Sequence, residues 1–184
     1  VGSIVIYRQV NYILSKDLGF KKENVIVMEQ KQGIYEQQQA FKNELLSYTG
    51  IKSVSMASNH PFNVTNSISD PTWPGKPETS TVPLRVIFCD QDYIPTLGMT
   101  LSLGREFTGP EDSTNFIFNE KAIEAMGIPI EEAVGTPIEL SRGALKGKII
   151  GVVKNFNNGN LREEIHPLMF FYSPQNSGLV FVKV

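Results

Sequence analysis

The stretch NVIVMEQKQGIYEQQQAFKNELLSYTGIKSVSM, residues 24–56, decides the fold class of this chain. Residues 24–28 are a short apolar run rich in β-branched side chains, which predicts a strand, and the alternating residues 51–56 predict a second strand. Between them, apolar residues recur along one side of a predicted helix that ends at Gly50. These apolar residues are Ile34, Phe41, Leu45 and Tyr48. A strand, a helix and a strand within about 35 residues form a compact α/β unit.

Residues 1–18, which read VGSIVIYRQVNYILSKDL, predict a helix in front of this unit. Apolar side chains recur there at helical spacing with polar side chains between them. They are Ile6, Val10, Ile13, Leu14 and Leu18. The first seven residues are apolar or small nearly all round, which is typical of a helix that leaves an apolar environment and enters water. No basic region and no small-residue cleavage site precede it, so it is not a signal peptide, and we expect a helix cut from a larger protein.

The remainder of the chain predicts short strands and helices joined by turns. Residues 59–81 contain four prolines among polar residues, so we expect a long functional or mobile loop there. The predicted strands cover residues 82–89, 101–107, 115–118, 137–140, 148–154, 168–172 and 179–184. The predicted helical segments cover residues 92–97, 119–126 and 131–134, with Asn119 as the cap of the second and Gly127 as its end.

The composition is that of a globular domain with a core of its own. Apolar residues make up 41% and charged residues 20% of the 184 residues, and the net charge is −2. No basic block is present, which argues against nucleic-acid binding. No apolar run reaches the roughly 18 residues of a membrane span. The single cysteine, Cys89, lies in an apolar run and is interpreted as a buried, inert strand residue.

The sequence carries no recognisable enzyme or cofactor motif. Its two histidines, His60 and His166, each precede a proline and have no other His or Cys nearby, so we interpret them as turn residues rather than metal ligands. No nucleophile elbow, zinc motif, Cys-x-x-Cys pair, EF-hand or P-loop is present. We therefore predict no catalytic residues, no metal site and no cofactor.

Two aromatic residues of the proline-rich loop, Phe62 and Trp73, are candidates for an exposed surface that contacts a partner or a substrate. The alternative is that the aromatic and proline residues cover one edge of the sheet. The sequence leaves both interpretations open.

Three segments, taken in order, carry a resemblance to a known family. They are YRQVNYILSKDLGF (7–20) with the strand at 24–28; DYIPTLGM (92–99) with GREF (104–107) and NEKA (119–122); and IIGVVKNF (149–156) with Leu161, Ile165 and Pro167. In this order and spacing they resemble the extracytoplasmic core domain of MacB-like, FtsX-family ABC transporter permeases, in the form common in Gram-negative bacteria. The resemblance covers nearly the whole chain.

The resemblance implies a periplasmic domain of an inner-membrane protein, inserted between two transmembrane helices. It implies a separate ATPase subunit, a homodimer in the full-length protein, and contact with a periplasmic or outer-membrane partner. In such permeases, ATP-driven closure in the cytoplasm is transmitted through stalk helices to move substrates that are already outside the inner membrane. The expected coupling face of the stalk consists of Ile6, Val10, Ile13 and Leu14.

The family also implies a division of the chain. A stalk helix, residues 1–20, would continue from a transmembrane helix. Residues 21–58 plus 178–184 would form a porter-like α/β subdomain, which is incomplete, and residues 59–177 an inserted mixed α/β subdomain. The expected fold is therefore α+β, with an insertion in a porter-like unit behind a stalk helix.

Two other function classes remain open from the sequence. An extracytoplasmic sensor domain of a membrane receptor would also continue from a membrane helix and would bind a ligand. A small hydrolase is disfavoured because no nucleophile and base are found together.

Overall fold

The computed structural model describes residues 18–21, 23–68, 70–159 and 164–184. The predicted stalk helix, with its coupling face at Ile6, Val10, Ile13 and Leu14, lies outside these residues except for its last three positions. Those positions, residues 18–20, are not helical. Among the described residues, no helix has the length and apolar character needed to cross a membrane.

The described residues form ten strands and four α-helices. The strands are β1 (Val25–Glu29), β2 (Ser53–Ala57), β3 (Ser67–Ile68), β4 (Leu84–Cys89), β5 (Leu101–Gly104), β6 (Phe116–Asn119), β7 (Pro137–Leu140), β8 (Leu145–Val153), β9 (Leu168–Tyr172) and β10 (Leu179–Lys183). The α-helices are α1 (Gln32–Tyr35), α2 (Gln38–Leu46), α3 (Tyr93–Thr96) and α4 (Glu120–Met126). Short 3₁₀ turns cover Pro110–Asp112, Ile130–Glu132, Ser141–Gly143 and Pro174–Asn176.

One mixed sheet runs through the molecule in the order β1-β10-β2-β4-β9-β6-β8-β5, with β3 paired to β4 and β7 paired to β8. The C-terminal strand β10 lies between β1 and β2 and is antiparallel to both. The pairs β4–β9 and β6–β8 are parallel. The predicted α+β fold class is confirmed, since helices pack on a mixed sheet instead of alternating with parallel strands throughout.

The period-two alternation of the strands divides the core into layers. In β9, Leu168 and Phe170 face one core cluster while Met169 faces another. In β10, Phe181 joins the first of these clusters and Val180 faces a third, small cluster under α2. Helices α2 and α4 therefore pack on one face of the sheet, and α3 packs on the opposite face.

The helix predicted to contain Ile34 and Tyr48 is divided in the structure, and the single-helix prediction is wrong. Gln37, at φ −132° and ψ 35°, is outside the helical region and separates α1 from α2. The predicted cap of α4 is confirmed: the Asn119 side chain accepts a hydrogen bond from the Ala122 N–H at 3.0 Å. Gly127 ends α4 in the left-handed conformation, at φ +68°.

The two strands that would join the predicted subdomains have the fewest paired residues in the sheet. Strands β2 and β4 share a single pair of opposed residues, Ala57 and Cys89. By contrast, β2 pairs with β10 at five positions. The sheet nevertheless continues through this point, so the division into residues 21–58 plus 178–184 and residues 59–177 stays a prediction.

Candidate functional site

The first candidate site is the place where residues 18–21 meet the core. The Leu18 carbonyl accepts a hydrogen bond from the Asn157 N–H at 2.9 Å. The Lys21 N–H donates to the Leu97 carbonyl at 2.7 Å. Leu97 is the C-terminal cap of α3, and Asn157 follows β8. The entering chain is thus held at both ends of a four-residue segment.

Gly19 allows this segment to lie directly against the core. Its φ is +78°, in the left-handed region that favours glycine. A Cβ atom at Gly19 would lie 2.7 Å from the Phe156 Cβ and 2.9 Å from its Cα. Both the conformation and the close approach therefore require glycine at this position.

Phe20 inserts its ring beside Gly19 and is only 8% exposed. Its centroid lies 6.5 Å from that of Phe62, in a stacked arrangement, and 6.2 Å from that of Phe156, edge to face. His60 stacks on Phe62 at 5.2 Å and meets Phe181 edge to face at 5.9 Å. We call this group (Gly19, Phe20, His60, Phe62 and Phe156) the aromatic attachment. Aromatic pairs at such distances and angles are favourable beyond the area that they bury.

The structure places the two predicted surface residues in different environments. Phe62 is 50% exposed, so one part of its ring is open to solvent. Trp73 is only 5% exposed and belongs to the core cluster under α4. The Lys76 ammonium lies over the Trp73 ring, 4.9 Å from its centroid. Trp73 therefore covers the sheet, as in the alternative interpretation, and is not an open contact surface.

The second candidate site is a group of three charges that we call the charged joint (Lys42, Asp90 and Asp92), of which Lys42 and Asp90 are buried and Asp92 is partly exposed. The Lys42 ammonium on α2 lies 2.6 Å from an Asp90 carboxylate oxygen and 2.5 Å from one of Asp92. Asp90 directly follows β4, and Asp92 is the N-terminal cap of α3. Lys42 and Asp90 are 6% and 5% exposed. The joint therefore ties α2 to the β4–α3 connection, across the predicted subdomain boundary.

Burial and charge pairing oppose each other in this joint. Burial raises the pKa of the Asp90 carboxyl above its ordinary value, and the nearby Lys42 ammonium only partly offsets that effect. Burial alone would lower the pKa of Lys42, but the two carboxylates outweigh it and hold that pKa above its ordinary value. The cation is thus firmly charged, while Asp90, with its raised pKa, takes up a proton on acidification more readily than an ordinary aspartate does.

Helix α3 connects the two sites. Its C-terminal cap, Leu97, accepts the hydrogen bond from Lys21, and its N-terminal cap, Asp92, binds Lys42. Between these ends, Tyr93 is fully buried and its hydroxyl donates to the Asn59 carbonyl at 3.0 Å. This single helical turn, held at both ends and by the Tyr93 hydroxyl, therefore joins residues 18–21 to α2.

Next to the charged joint, two side-chain amides form hydrogen bonds with residues that precede β10. The Gln30 Nε2 donates to the Ser177 hydroxyl at 2.9 Å, and the Gln38 Nε2 donates to the Pro174 carbonyl at 3.1 Å. Gln38 lies one turn before Lys42 on α2. The ion pairs of Lys42 therefore hold α2 to the β4–α3 connection, and the hydrogen bond of Gln38 holds it to the turn before β10.

The other chemistry-bearing residues have structural roles. The main-chain carbonyl of His166 accepts hydrogen bonds from the side-chain amides of Asn119 and Asn158, at 2.9 Å and 2.7 Å. Cys89 is fully buried, as predicted, and burial raises the pKa of its thiol. Within the described ranges, no group of three or more His, Cys, Asp or Glu side chains is placed to hold a metal ion.

Sequence reasoning found only part of these sites. The segment before Phe20 was predicted as the end of a stalk, but the charged joint was missed. Lys42 occupies the polar side of a predicted helix, and Asp90 follows an apolar strand, which is also the pattern of ordinary surface residues. The one available signal was the pair of acidic residues, Asp90 and Asp92, directly after a fully apolar strand end.

The fold is similar to that of the periplasmic region of a MacB protein. Comparison of the sequence with protein families and with curated proteins gives no match. Comparison of the structure with solved structures gives clear matches.

Three of these solved structures come from MacB, from a permease and from an ABC-type transporter. The periplasmic region of MacB from Actinobacillus actinomycetemcomitans matches with a TM-score of 0.57 and 16% identity, over 94% of this chain and 79% of its own. A domain of a putative permease from Porphyromonas gingivalis matches with a TM-score of 0.57 and 12% identity, over 87% and 73%. The extracellular domain of the noncanonic ABC-type transporter YknZ from Gram-positive bacteria matches with a TM-score of 0.57 and 14% identity, over 88% and 83%. At these identities the likeness shows the fold, which agrees with the predicted resemblance.

Proposed function

We propose that this chain is the periplasmic domain of an ABC transporter permease of the inner membrane. A separate ATPase subunit would bind and hydrolyse ATP in the cytoplasm, and this domain would carry the resulting movement to substrates outside the membrane. The observation that supports the proposal is the fold, which is shared over 94% of this chain with the periplasmic region of a MacB protein. The domain itself would have no catalytic role.

The aromatic attachment gives this proposal a mechanical basis. A stalk formed by the residues before Leu18 would reach the core through Leu18 to Lys21, which are bound at Asn157 and at Leu97. Gly19 lies against Phe156 with no room for a further atom. Because packed interiors deform little, a displacement of the stalk would be passed to the core instead of being absorbed by a loose linker.

The charged joint would carry the movement further. Displacement at Leu97 acts on one end of α3, and the other end of α3 is held to Lys42 by Asp92. The path therefore runs from the stalk through α3 to α2 and the strands beneath it. We propose that this short path makes the domain respond to the stalk as a unit.

The partner surfaces belong to the same proposal. We propose a homodimer in the full-length protein, association with the ATPase subunit through the membrane part, and contact with a periplasmic or outer-membrane partner. Phe62 supports the last of these, since half of its surface is open to solvent beside the attachment.

The test uses the full-length permease and the stalk face predicted from the sequence. We expect Ile13→Glu to abolish transport while ATP binding by the ATPase subunit persists, because the substitution would place a charge on the apolar coupling face that the sequence predicts. Ser15→Glu, which adds the same charge on the opposite, polar side of the predicted helix, serves as the control and should leave transport intact. Normal transport by the Ile13→Glu variant would overturn the stalk role.

A further inference from the structure

A polar cleft lies beside the aromatic attachment, between the end of β1 and the loop that follows β2. Its volume is about 320 Å³, and its lining includes Glu29, Tyr35, His60, Asn63, Thr65 and Leu179. A cleft of this volume is at the lower end of the range for small-molecule sites.

Several polar side chains in this cleft are already used by the protein. The Asn59 Nδ2 donates to the Thr65 hydroxyl at 3.2 Å, and the Asn59 Oδ1 accepts from Asn66 at 2.8 Å. Gln30 is bound to Ser177 behind the cleft. These contacts fix the floor of the cleft without any ligand.

Other polar side chains at the same cleft are not used. Glu29, Tyr35 and Asn63 line the cleft and are exposed, and among the described residues their side chains form no hydrogen bond or ion pair with the protein, so they are open to a ligand. Together they offer a carboxylate acceptor, a hydroxyl that both donates and accepts, and an amide that does the same. Hydrogen-bonding groups of both kinds therefore converge on one space.

Two aromatic side chains, Tyr35 and His60, also line the cleft. Tyr35 is 45% exposed, and His60 presents a ring that is stacked on the half-exposed Phe62. An aromatic side chain with an open face and a polar edge suits a ligand that is apolar on one side and polar at its rim. A sugar ring has this character, with C–H groups on its face and hydroxyl groups around it.

The charge of the cleft argues against an anionic ligand. Its lining contains one carboxylate, that of Glu29, and no lysine or arginine. An anionic ligand would find repulsion there and no cation to compensate for its lost hydration. From these exposed polar groups, the exposed ring of Tyr35 and this charge, we propose that the cleft binds a neutral saccharide, with a sugar ring on Tyr35 and hydroxyl or acetamido groups on Glu29 and Asn63.

The proposal does not depend on the transport function, and the test is binding to this domain alone. The backbone amide resonances of the labelled protein are followed by NMR while tri-N-acetylchitotriose or maltotriose is added up to about 10 mM. We expect saturable shifts at Glu29, Tyr35 and Asn63 for at least one of the two probes. We also expect the amide resonances of Phe62 and Phe20 to shift, because His60 belongs both to the cleft and to the aromatic attachment.

Matched variants locate the binding. Tyr35→Ala and Asn63→Ala should each weaken binding about tenfold, which corresponds to about 1.4 kcal/mol. Tyr48→Ala is the control, since Tyr48 is 59% exposed and does not line the cleft. The amide spectrum of each variant shows whether it is folded before its affinity is compared.

Three results would overturn the proposal. The first is the absence of saturable shifts at the cleft with both saccharides. The second is equal binding by the wild type, Tyr35→Ala and Asn63→Ala, which would place the saccharide elsewhere. The third is displacement of the saccharide shifts by spermidine or citrate at comparable concentration, which would show that the cleft selects charged ligands instead.

Discussion

Residues 18–21, which are anchored by the aromatic attachment, and the charged joint hold opposite ends of the short helix α3, but the two regions are held together by different interactions. At the attachment, rings of Phe20, Phe62 and Phe156 pack together and Gly19 permits close contact. At the joint, one buried ammonium is shared by two carboxylates. The entering chain is therefore held by apolar packing, and α2 is held by charge pairing.

Because the interactions differ, mutations should destabilise the two regions in different ways. A packed aromatic cluster loses stability in proportion to the surface and volume that are removed. A buried ion cluster contributes little as a whole, because desolvation offsets attraction, yet removal of one member leaves an uncompensated charge. We therefore expect graded effects at the attachment and an abrupt effect at the joint.

The largest effect is expected at the joint. Lys42→Met removes the cation from Asp90, which is 5% exposed, and should lower the free energy of unfolding by about 3–5 kcal/mol. Urea denaturation measures this change. Lys121→Met is the control, because Lys121 pairs with Glu124 at the surface and its loss should cost less than about 0.5 kcal/mol. A loss below about 1 kcal/mol for Lys42→Met would contradict the account of the joint.

The next effect is expected at the attachment. Phe20→Ala removes a ring that is 8% exposed and should cost about 3 kcal/mol. Phe62→Ala should cost about 1 kcal/mol, since half of that ring is already in solvent. The same urea titrations give both values. Equal losses for the two variants would show that burial does not set the order of effects in this cluster.

A smaller effect separates backbone conformation from close contact. Gly19 and Gly75 have nearly the same φ, +78° and +81°, but only Gly19 has core atoms where a Cβ would stand. Gly75→Ala should cost about 1 kcal/mol, the conformational part alone, and Gly19→Ala about 2 kcal/mol or more. Thermal unfolding of both variants tests the difference. Identical losses would mean that the contact with Phe156 contributes nothing.

The smallest effect is a difference in how two buried carboxyls, those of Asp90 and Asp112, make the free energy of unfolding depend on pH. The pKa of Asp90 is raised chiefly by burial, so the folded state holds its proton longer than the unfolded state does. As the pH rises from about 4 through this raised pKa, Asp90 lowers the free energy of unfolding, by at most about 1.4 kcal/mol per pH unit. Asp90→Asn should remove that decline in urea titrations across this pH range. An unchanged pH profile would contradict the assignment.

Asp112 provides the opposite sign as a matched comparison. Its carboxylate binds Arg105 through two hydrogen bonds of 2.7 Å and 2.8 Å, and this contact, despite burial, lowers its pKa below the ordinary value. The stability that it contributes is complete above about pH 4 and is lost as the pH falls further. Asp112→Asn should therefore flatten the profile on the acid side, where Asp90→Asn has no such effect. A steep acid limb in the Asp112→Asn variant would contradict this origin.

The sequence predicted the local elements better than their partners. Strands β7 and β9 were predicted with their observed ends, because turn residues bound short apolar runs on both sides. The division between α1 and α2 was missed, since Gln37 is an ordinary helix former and its residue type gives no sign of a break there.

Long-range contacts explain what local patterns could not predict. The joint unites Lys42 with two residues about 50 positions away, and the pairing of Ala57 with Cys89 brings those regions together. Trp73 has the sequence surroundings of an exposed loop, yet it is buried against the core under α4. Composition and spacing describe neighbours along the chain, whereas these sites are formed by neighbours in space.

The most direct test of the account is transport by the full-length permease carrying Phe20→Ala, at a temperature where the variant domain stays folded. The account holds that the aromatic attachment passes the movement of the stalk to the domain. It predicts that transport falls by about tenfold or more while ATP hydrolysis by the ATPase subunit continues, which corresponds to the loss of a coupling free energy of about 1–2 kcal/mol. Transport at the wild-type rate, with the ring of Phe20 removed, would contradict it.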